Sequence, residues 1–303
     1  MDHTLAVPGI DPMAPHLLAA YAFLSNYENE GTRKGYATDL RIYFTWCADT
    51  MGIDPLAAQR LHVQLFVRYL AGDRGYQPSG IQRTMTAVRM FYKNARLDGY
   101  LTGTPTEGVK TPKVIDDPTK KTHLDRWEWS ALLKTAQEAS PRDLAMVHLL
   151  STIGMRVGAV CAVDIEDITT TNAGYRVLHT IGKGGVASLK ALPIPVAQAV
   201  DAARGDRTEG PLLLRRNGTR MTRRSAGWRI EWLAKKAGIA KHLYPHALRV
   251  THVTMALKSG VELHVVQRGV DHADPRTTMR YNALDVPVEG QASHTLSALL
   301  AAS

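Results

Sequence analysis

Residues 103–121 read GTPTEGVKTPKVIDDPTKK. Prolines remove backbone donors and fix φ, and glycines lose the most entropy on ordering, so such a run opposes a packed element. It reads as a basic connector that divides the chain. The residues before it carry helical periodicity, and those after it mix helical and alternating patterns. With 303 residues, 45% of them hydrophobic, the chain is long enough for two cores. The expected fold is mainly α: a helical N-terminal domain, then an α+β domain with a small antiparallel sheet. The expected boundaries are a flexible arm at 1–13, a helical domain at 14–102, the linker at 103–121 and a second domain at 122–303.

In the first domain, residues 16–26 form an apolar-rich first segment. Thr32 is the expected cap of a second helix reaching about Met51, with Tyr36, Leu40, Tyr43 and Phe44 on one face. A third helix is expected over 63–71. A fourth covers 79–97, with Ile81, Met85, Val88, Tyr92 and Ala95 at helical spacing. Its other face carries Arg83, Arg89, Lys93 and Arg96. Such a stripe is either a solvated face or a surface for a DNA groove. Arg33 and Lys34 are further candidates for contact with a polyanion.

In the second domain, Asp125 and Glu128 are spaced as a capping box. Pro141 opens the next helix, which runs to about Thr152, and Gly154 interrupts the pattern. Residues 175–181 and 188–194 alternate as two strands, joined by the turn that holds Gly182, Lys183, Gly184 and Gly185. A short helix is expected over 195–203, and a further strand over 211–216 ending in the turn Asn217-Gly218. Thr222 is the expected cap of a helix behind the densest basic cluster. That cluster holds Arg215, Arg216, Arg220, Arg223, Arg224 and Arg229, with Lys235 and Lys236 further along. Phosphate contact is the favoured reading of this cluster over a merely solvated surface.

Lys plus Arg number 37 against 28 Asp plus Glu, for a formal charge of +9. That balance favours a polyanionic partner without establishing one. The two cysteines, Cys47 and Cys161, are far apart and sit in apolar patterns. They form no metal spacing or disulfide framework and read as small buried hydrophobes of a reducing compartment. The first residues lack the basic start and apolar run of a signal peptide, and no apolar stretch is long enough to span a membrane. The expected location is the cytoplasm.

The residues that carry chemistry lie in 243–281, LYPHALRVTHVTMALKSGVELHVVQRGVDHADPRTTMRY. Pro245 suits the first turn of a helix and Gly260 its end. His246 and Arg249 are three apart and share a helix face. His272 comes next, and Tyr281 lies nine residues beyond it, with Thr277 and Thr278 between. Two histidines, an arginine and a tyrosine can hold a phosphodiester and attack it. His-x-x-Arg, then a histidine nine residues before a tyrosine, resembles the catalytic box of the tyrosine recombinases, the phage integrase family.

Upstream segments extend the resemblance. Thr152, Ile153, Gly154, Met155 and Arg156 fit the family's T-G-x-R segment with one inserted residue, which makes Arg156 the first catalytic arginine. Lys183 matches the lysine of the family's β-hairpin within its Gly-Lys-Gly. The helical first domain resembles the family's core-binding domain in pattern and length. There are two departures. The family's acid three residues after the arginine, which helps orient the site, is here Ala159. Asp271 stands before His272 where the family most often has glycine, a change expected to alter turn freedom and not the chemistry.

The resemblance implies a catalytic set of Arg156, Lys183, His246, Arg249, His272 and Tyr281. Tyr281 is the nucleophile, His246 the base, His272 a phosphate donor and Lys183 the acid for the leaving 5′ oxygen. It implies a site-specific recombinase acting as a homotetramer on synapsed double-stranded core sites, through a 3′-phosphotyrosine. With arginines supplying the charge, neither a metal nor ATP is expected, and no cofactor. Two other readings stand beside it. One is a DNA-binding protein whose box has lost activity, for which Ala159 speaks. The other is a type IB topoisomerase-like enzyme that relaxes DNA without strand exchange. The apolar-rich tail over 293–302 is expected as a short helix, docking on a neighbouring subunit or on its own domain.

Overall fold

The structure is a computed structural model that describes residues 11, 13–115, 121–181 and 187–271. The N-terminal arm up to residue 10, the hairpin turn at 182–186 and the tail from 272 lie outside them. The chain divides into two compact units, Met1–Asp116 and Asp117–Ser303.

The first unit is built from α1 (Pro15–Ser25), α2 (Glu30–Trp46), α3 (Arg60–Ala71) and α4 (Pro78–Leu97). The cap of α2 is Asn29, not Thr32: the Asn29 side chain accepts the Thr32 backbone N–H at 3.0 Å. Asparagine three positions earlier satisfies an orphan donor that Thr32, already inside the first turn, cannot. The helix continues into a π-helical turn, Cys47–Met51, which ends at left-handed Gly52. On α4 the predicted apolar face is the buried one, with Ile81, Met85, Val88, Tyr92 and Ala95 all inside. Rings fill this core. Tyr92 donates its hydroxyl to the Pro55 carbonyl at 2.6 Å, so Tyr43, 2.7 Å away, donates to Tyr92. Burial pushes both phenols up, keeping them protonated donors.

Part of the expected linker belongs to this core. Val109 is buried in it, Arg89 donates to the Val109 carbonyl at 3.0 Å, and Gln82 donates to the Pro112 carbonyl at 3.1 Å. Composition alone predicts an unpacked run, and long-range hydrogen bonds override it.

The second unit is organised around α6 (Pro141–Ser151), which buries Ala145, Met146, Val147, Leu149 and Leu150 and leaves one edge, with Leu144 and His148, half-buried. A helix with so wide an apolar face belongs in the middle of a core. Packed on it are α5 (Arg126–Ala139), α7 (Val157–Ala162), α8 (Ile194–Arg204) and α10 (Pro245–Lys258). The helix α9 (Arg223–Lys236) packs on α5, α7 and α10, and α11 (Leu263–Gly269) packs on α10. The predicted capping box holds: Asp125 accepts the Trp127 and Glu128 N–H groups, and Glu128 accepts the Asp125 N–H. Thr222 caps α9 as expected.

Among the described residues the sheet has three antiparallel strands in the order β1 (Ile168–Thr170), β2 (Arg176–Ile181), β3 (Ala187–Ala191). Two strand expectations fail. The second hairpin strand stops at Ala191, because Pro193 caps α8 and Ile194 is already helical. Residues 211–216 form no strand, only isolated bridges between Asp164 and Pro211 and between Leu214 and Arg220. Leu212 and Leu213 are buried there one after the other, so burial and not a ladder explains their apolar character.

Candidate active site

Arg156 stands at the N-cap of α7 with its side chain exposed. The turn before it passes through Gly154 at φ 75°, in the left-handed region. A Cβ at Gly154 would lie 2.6 Å from Cδ2 of half-buried His252, so glycine is required twice over.

His246 and Arg249 lie in the first turns of α10, with Pro245 at its start. The buried Arg249 donates to the Gly154 carbonyl and to the Val270 carbonyl, both at close contact. Arg156 donates Nη2 to the next carbonyl, that of Asp271, at 3.0 Å. Both arginines, from elements far apart in sequence, thus converge on the turn directly before His272. His246 shares their surroundings. Partial burial, then the charges of Arg249, Lys121 and Arg156, hold its pKa below the ordinary value, although much of its ring faces solvent. It is therefore neutral at neutral pH, as a base must be.

Asp271 does more than alter turn freedom. Its φ is 51°, left-handed for a non-glycine residue, a conformation that costs about 1 kcal/mol or more and that aspartate tolerates better than most. Its carboxylate accepts Lys190 Nζ at 2.7 Å and Ser188 Oγ at 2.8 Å. Burial works against its charge, but Lys190, Ser188 and Arg156 outweigh that and hold its carboxyl below the usual range. Sequence reading missed Lys190. The available signal was a lysine on the inward face of β3, in register with buried Leu178.

Lys183, His272 and Tyr281, like Thr277 and Thr278, lie outside the described residues. Among the described residues no group of three or more histidines, cysteines or acids could hold a metal ion.

The cationic candidates differ in what already holds them. Arg220 donates to Asp164 at 2.6 Å and to the Ala162 carbonyl at 2.9 Å, so it ties the segment after α7 to the turn before α9. Arg229 is a structural residue: it grips buried Asp143 through two bonds at 3.0 and 2.6 Å, and its guanidinium lies 4.0 Å from the centre of the Trp232 ring. Arg223 is exposed and extends over α7, where a Cβ at Gly158 would meet its Nε at 2.8 Å. Arg215 and Arg224 are also exposed, Arg224 over Trp228. In the first unit Arg83 pairs with buried Asp39 at 2.9 Å while remaining largely exposed, and Lys34 pairs with Glu30 at 2.5 Å. Arg33 and Arg89 are half-buried, and Lys93 is exposed.

Residues 122–286 match the sequence model of the phage integrase family. That match spans more than half of the chain, and the chain belongs to this family. Tyrosine recombinase XerC of Pelobacter propionicus is 31% identical over 278 residues, covering 89% of this chain and 85% of that protein. Tyrosine recombinase XerD of Listeria monocytogenes is 28% identical over 263 residues, covering 82% and 86%. With such relatives over most of its length, the chain is a tyrosine-type site-specific recombinase.

Among solved structures, a lambda integrase dimer bound to a COC′ core site superposes with a TM-score of 0.69 at 15% identity, covering 86% of this chain and 95% of that one. The XerH recombinase in a post-cleavage complex with its palindromic difH substrate gives 0.66 at 15% identity, covering 89% and 86%. These likenesses establish the fold, mainly helical with one small antiparallel sheet.

Proposed function

We propose that the chain cuts and rejoins double-stranded DNA at a core site through a covalent 3′-phosphotyrosine on Tyr281. The observation that carries this reading is the convergence of Arg156 and Arg249 on the carbonyls of Val270 and Asp271, directly before His272. Planar, permanently charged guanidiniums suit the non-bridging oxygens of a phosphodiester and the charge that grows on them during attack. His246, neutral at working pH, takes the phenolic proton as the Tyr281 oxygen bonds to phosphorus. The bond from phosphorus to the 5′ oxygen breaks, and Lys183 supplies the proton that makes this a free hydroxyl. His272 is a further donor to the phosphate. The phosphotyrosine conserves the bond energy, so the 5′-hydroxyl of another strand can reverse the step.

On this reading the helical first unit is the core-binding domain, and four copies act on two synapsed sites. Arg33, Lys34, Arg83, Arg89 and Lys93 of the first unit, and Arg215, Arg223 and Arg224 of the second, are the proposed backbone contacts. Arg220 is the weakest candidate, since its donors are already engaged. The reaction serves integration or excision of a mobile element, or resolution of DNA, in the cytoplasm.

The test uses nicked duplexes tiling the DNA beside the gene, without metal or ATP, with wild type and Tyr281→Phe. A denaturation-resistant protein–DNA adduct with wild type alone is the expected result. Duplex binding without any adduct or free 5′-hydroxyl would overturn the reading and leave a DNA-binding protein.

A further inference from the structure

Lys190 and Asp271 form an ion pair to which the proposed cleavage chemistry gives no role. Lys190 lies on β3 with its side chain 7% exposed. A buried ammonium is costly unless it is paired and hydrogen-bonded. Its Nζ donates to the Asp271 carboxylate at 2.7 Å and to the Gly269 carbonyl at 2.6 Å. Ser188, two residues earlier on the same face of the strand, donates to the same carboxylate oxygen at 2.8 Å. The turn from Gly269 to Asp271 is thus gripped from one side by β3. From the other side it receives Arg156 at the Asp271 carbonyl and Arg249 at the Val270 carbonyl.

We infer that Lys190 and Asp271, helped by Ser188, are positioning residues for strand cleavage: they fix the turn whose carbonyls aim the Arg156 and Arg249 guanidiniums at the scissile phosphate. The inference rests on the phosphotyrosine reading. Arginine is long and rotamer-rich, so a carbonyl acting as a backstop is only as well placed as the turn that bears it. That turn is left-handed at a residue other than glycine and needs outside support. The chain also has no carboxylate three residues after Arg156, where Ala159 stands. Asp271 instead offers Arg156 its backbone carbonyl, while its carboxylate is held by Lys190 and Ser188.

A merely structural ion pair makes a different prediction. Breaking it leaves a buried charge unpaired and destabilises, whereas removing both charges together is often tolerated. The variants are therefore Asp271→Asn, Lys190→Met and the two combined. Asparagine is chosen because it too adopts left-handed backbone. Each is assayed as the full chain on a nicked duplex of the sequence trapped by wild type, with duplex affinity, single-turnover adduct formation at saturating protein, and melting temperature measured side by side.

The expected result is a double variant that melts near wild type and binds duplex within about twofold, yet forms adduct about tenfold or more slowly. A double variant that cleaves at the wild-type rate would overturn the inference, whether or not the single variants fold, because the pair would then only neutralise itself. Equal losses of affinity and rate would overturn it as well. Absence of adduct from wild type would overturn the phosphotyrosine reading and this inference with it.

Discussion

In the first unit the largest fully buried side chains are rings, Tyr43, Tyr92, Phe23, Phe44, Phe66 and Phe91, and Asp39 is the charged group inside. In the second unit Asp143, Lys190 and Arg249 are buried in a core whose buried apolar side chains, among the described residues, include no ring. The difference separates two tasks. Rings contribute large apolar area and hold four helices in place with few desolvated charges. Buried charge contributes little net stability, so its presence calls for a further reason. For Asp143 that reason is neutralisation of Arg142 and Arg229 beside α6. For Lys190 and Arg249 it is the turn at Val270 and Asp271, where the proposed chemistry sits.

The sharpest way to break this contrast is Asp143→Ala. It strands Arg142 and Arg229 near the core, and the expected cost is about 3–5 kcal/mol of the second unit's stability. Hydrogen exchange measured peptide by peptide checks it: protection should fall in α6 and α9 while α1–α4 keep theirs. Loss spread evenly over both units would dissolve the comparison.

Gly154→Ala probes the site's own frame. The left-handed backbone alone costs about 1–2 kcal/mol with a side chain. The new Cβ must also displace His252, and Arg249 donates to this residue's carbonyl. Urea unfolding should show the loss, and adduct formation should slow more than duplex binding weakens. In the first unit, Tyr92→Phe removes the donor to Pro55 and the acceptor for Tyr43. It should cost about 1–3 kcal/mol by urea unfolding, with strand cleavage unchanged at saturating protein once the chain is folded.

Acid gives the smallest effect and opposite signs in the two units. The Asp143 and Asp271 pKa values are depressed, because arginine, lysine and hydroxyl partners outweigh burial. Their stabilisation is present above the unfolded aspartate value, about 3.9, and is lost as pH falls through the lower folded values. Burial raises Asp39 despite Arg83 and Thr84, so the first unit gains stability as pH falls through that raised value towards about 3.9. Exchange rates corrected for intrinsic pH dependence should diverge between the units as pH falls, first through the first unit's gain above about pH 4 and then through the second unit's loss below it.

What sequence made legible was local. Helix periodicity located the α4 face, and the spacing of Asp125 and Glu128 located a cap, because both depend on residues a turn apart. The order of Arg156, His246 and Arg249 pointed to one site, and the fold does bring Arg156 and Arg249 to one turn. The contacts of Lys190 with Asp271, and of Val109 with the first core, join residues distant in the chain, and no local pattern encodes them. Asp271 looked like a change of turn freedom because its partners lie on β3 and at Arg156. The apolar run at 211–216 resembled a strand because burial alone gives the same composition.

The most direct measurement is to digest the trapped adduct with protease and nuclease and to sequence the modified peptide by mass spectrometry. The account predicts a nucleotide joined through its 3′ phosphate to the Tyr281 hydroxyl, with the released DNA strand beginning in a 5′-hydroxyl. A nucleotide on another residue, or a linkage through a 5′ phosphate, would contradict it.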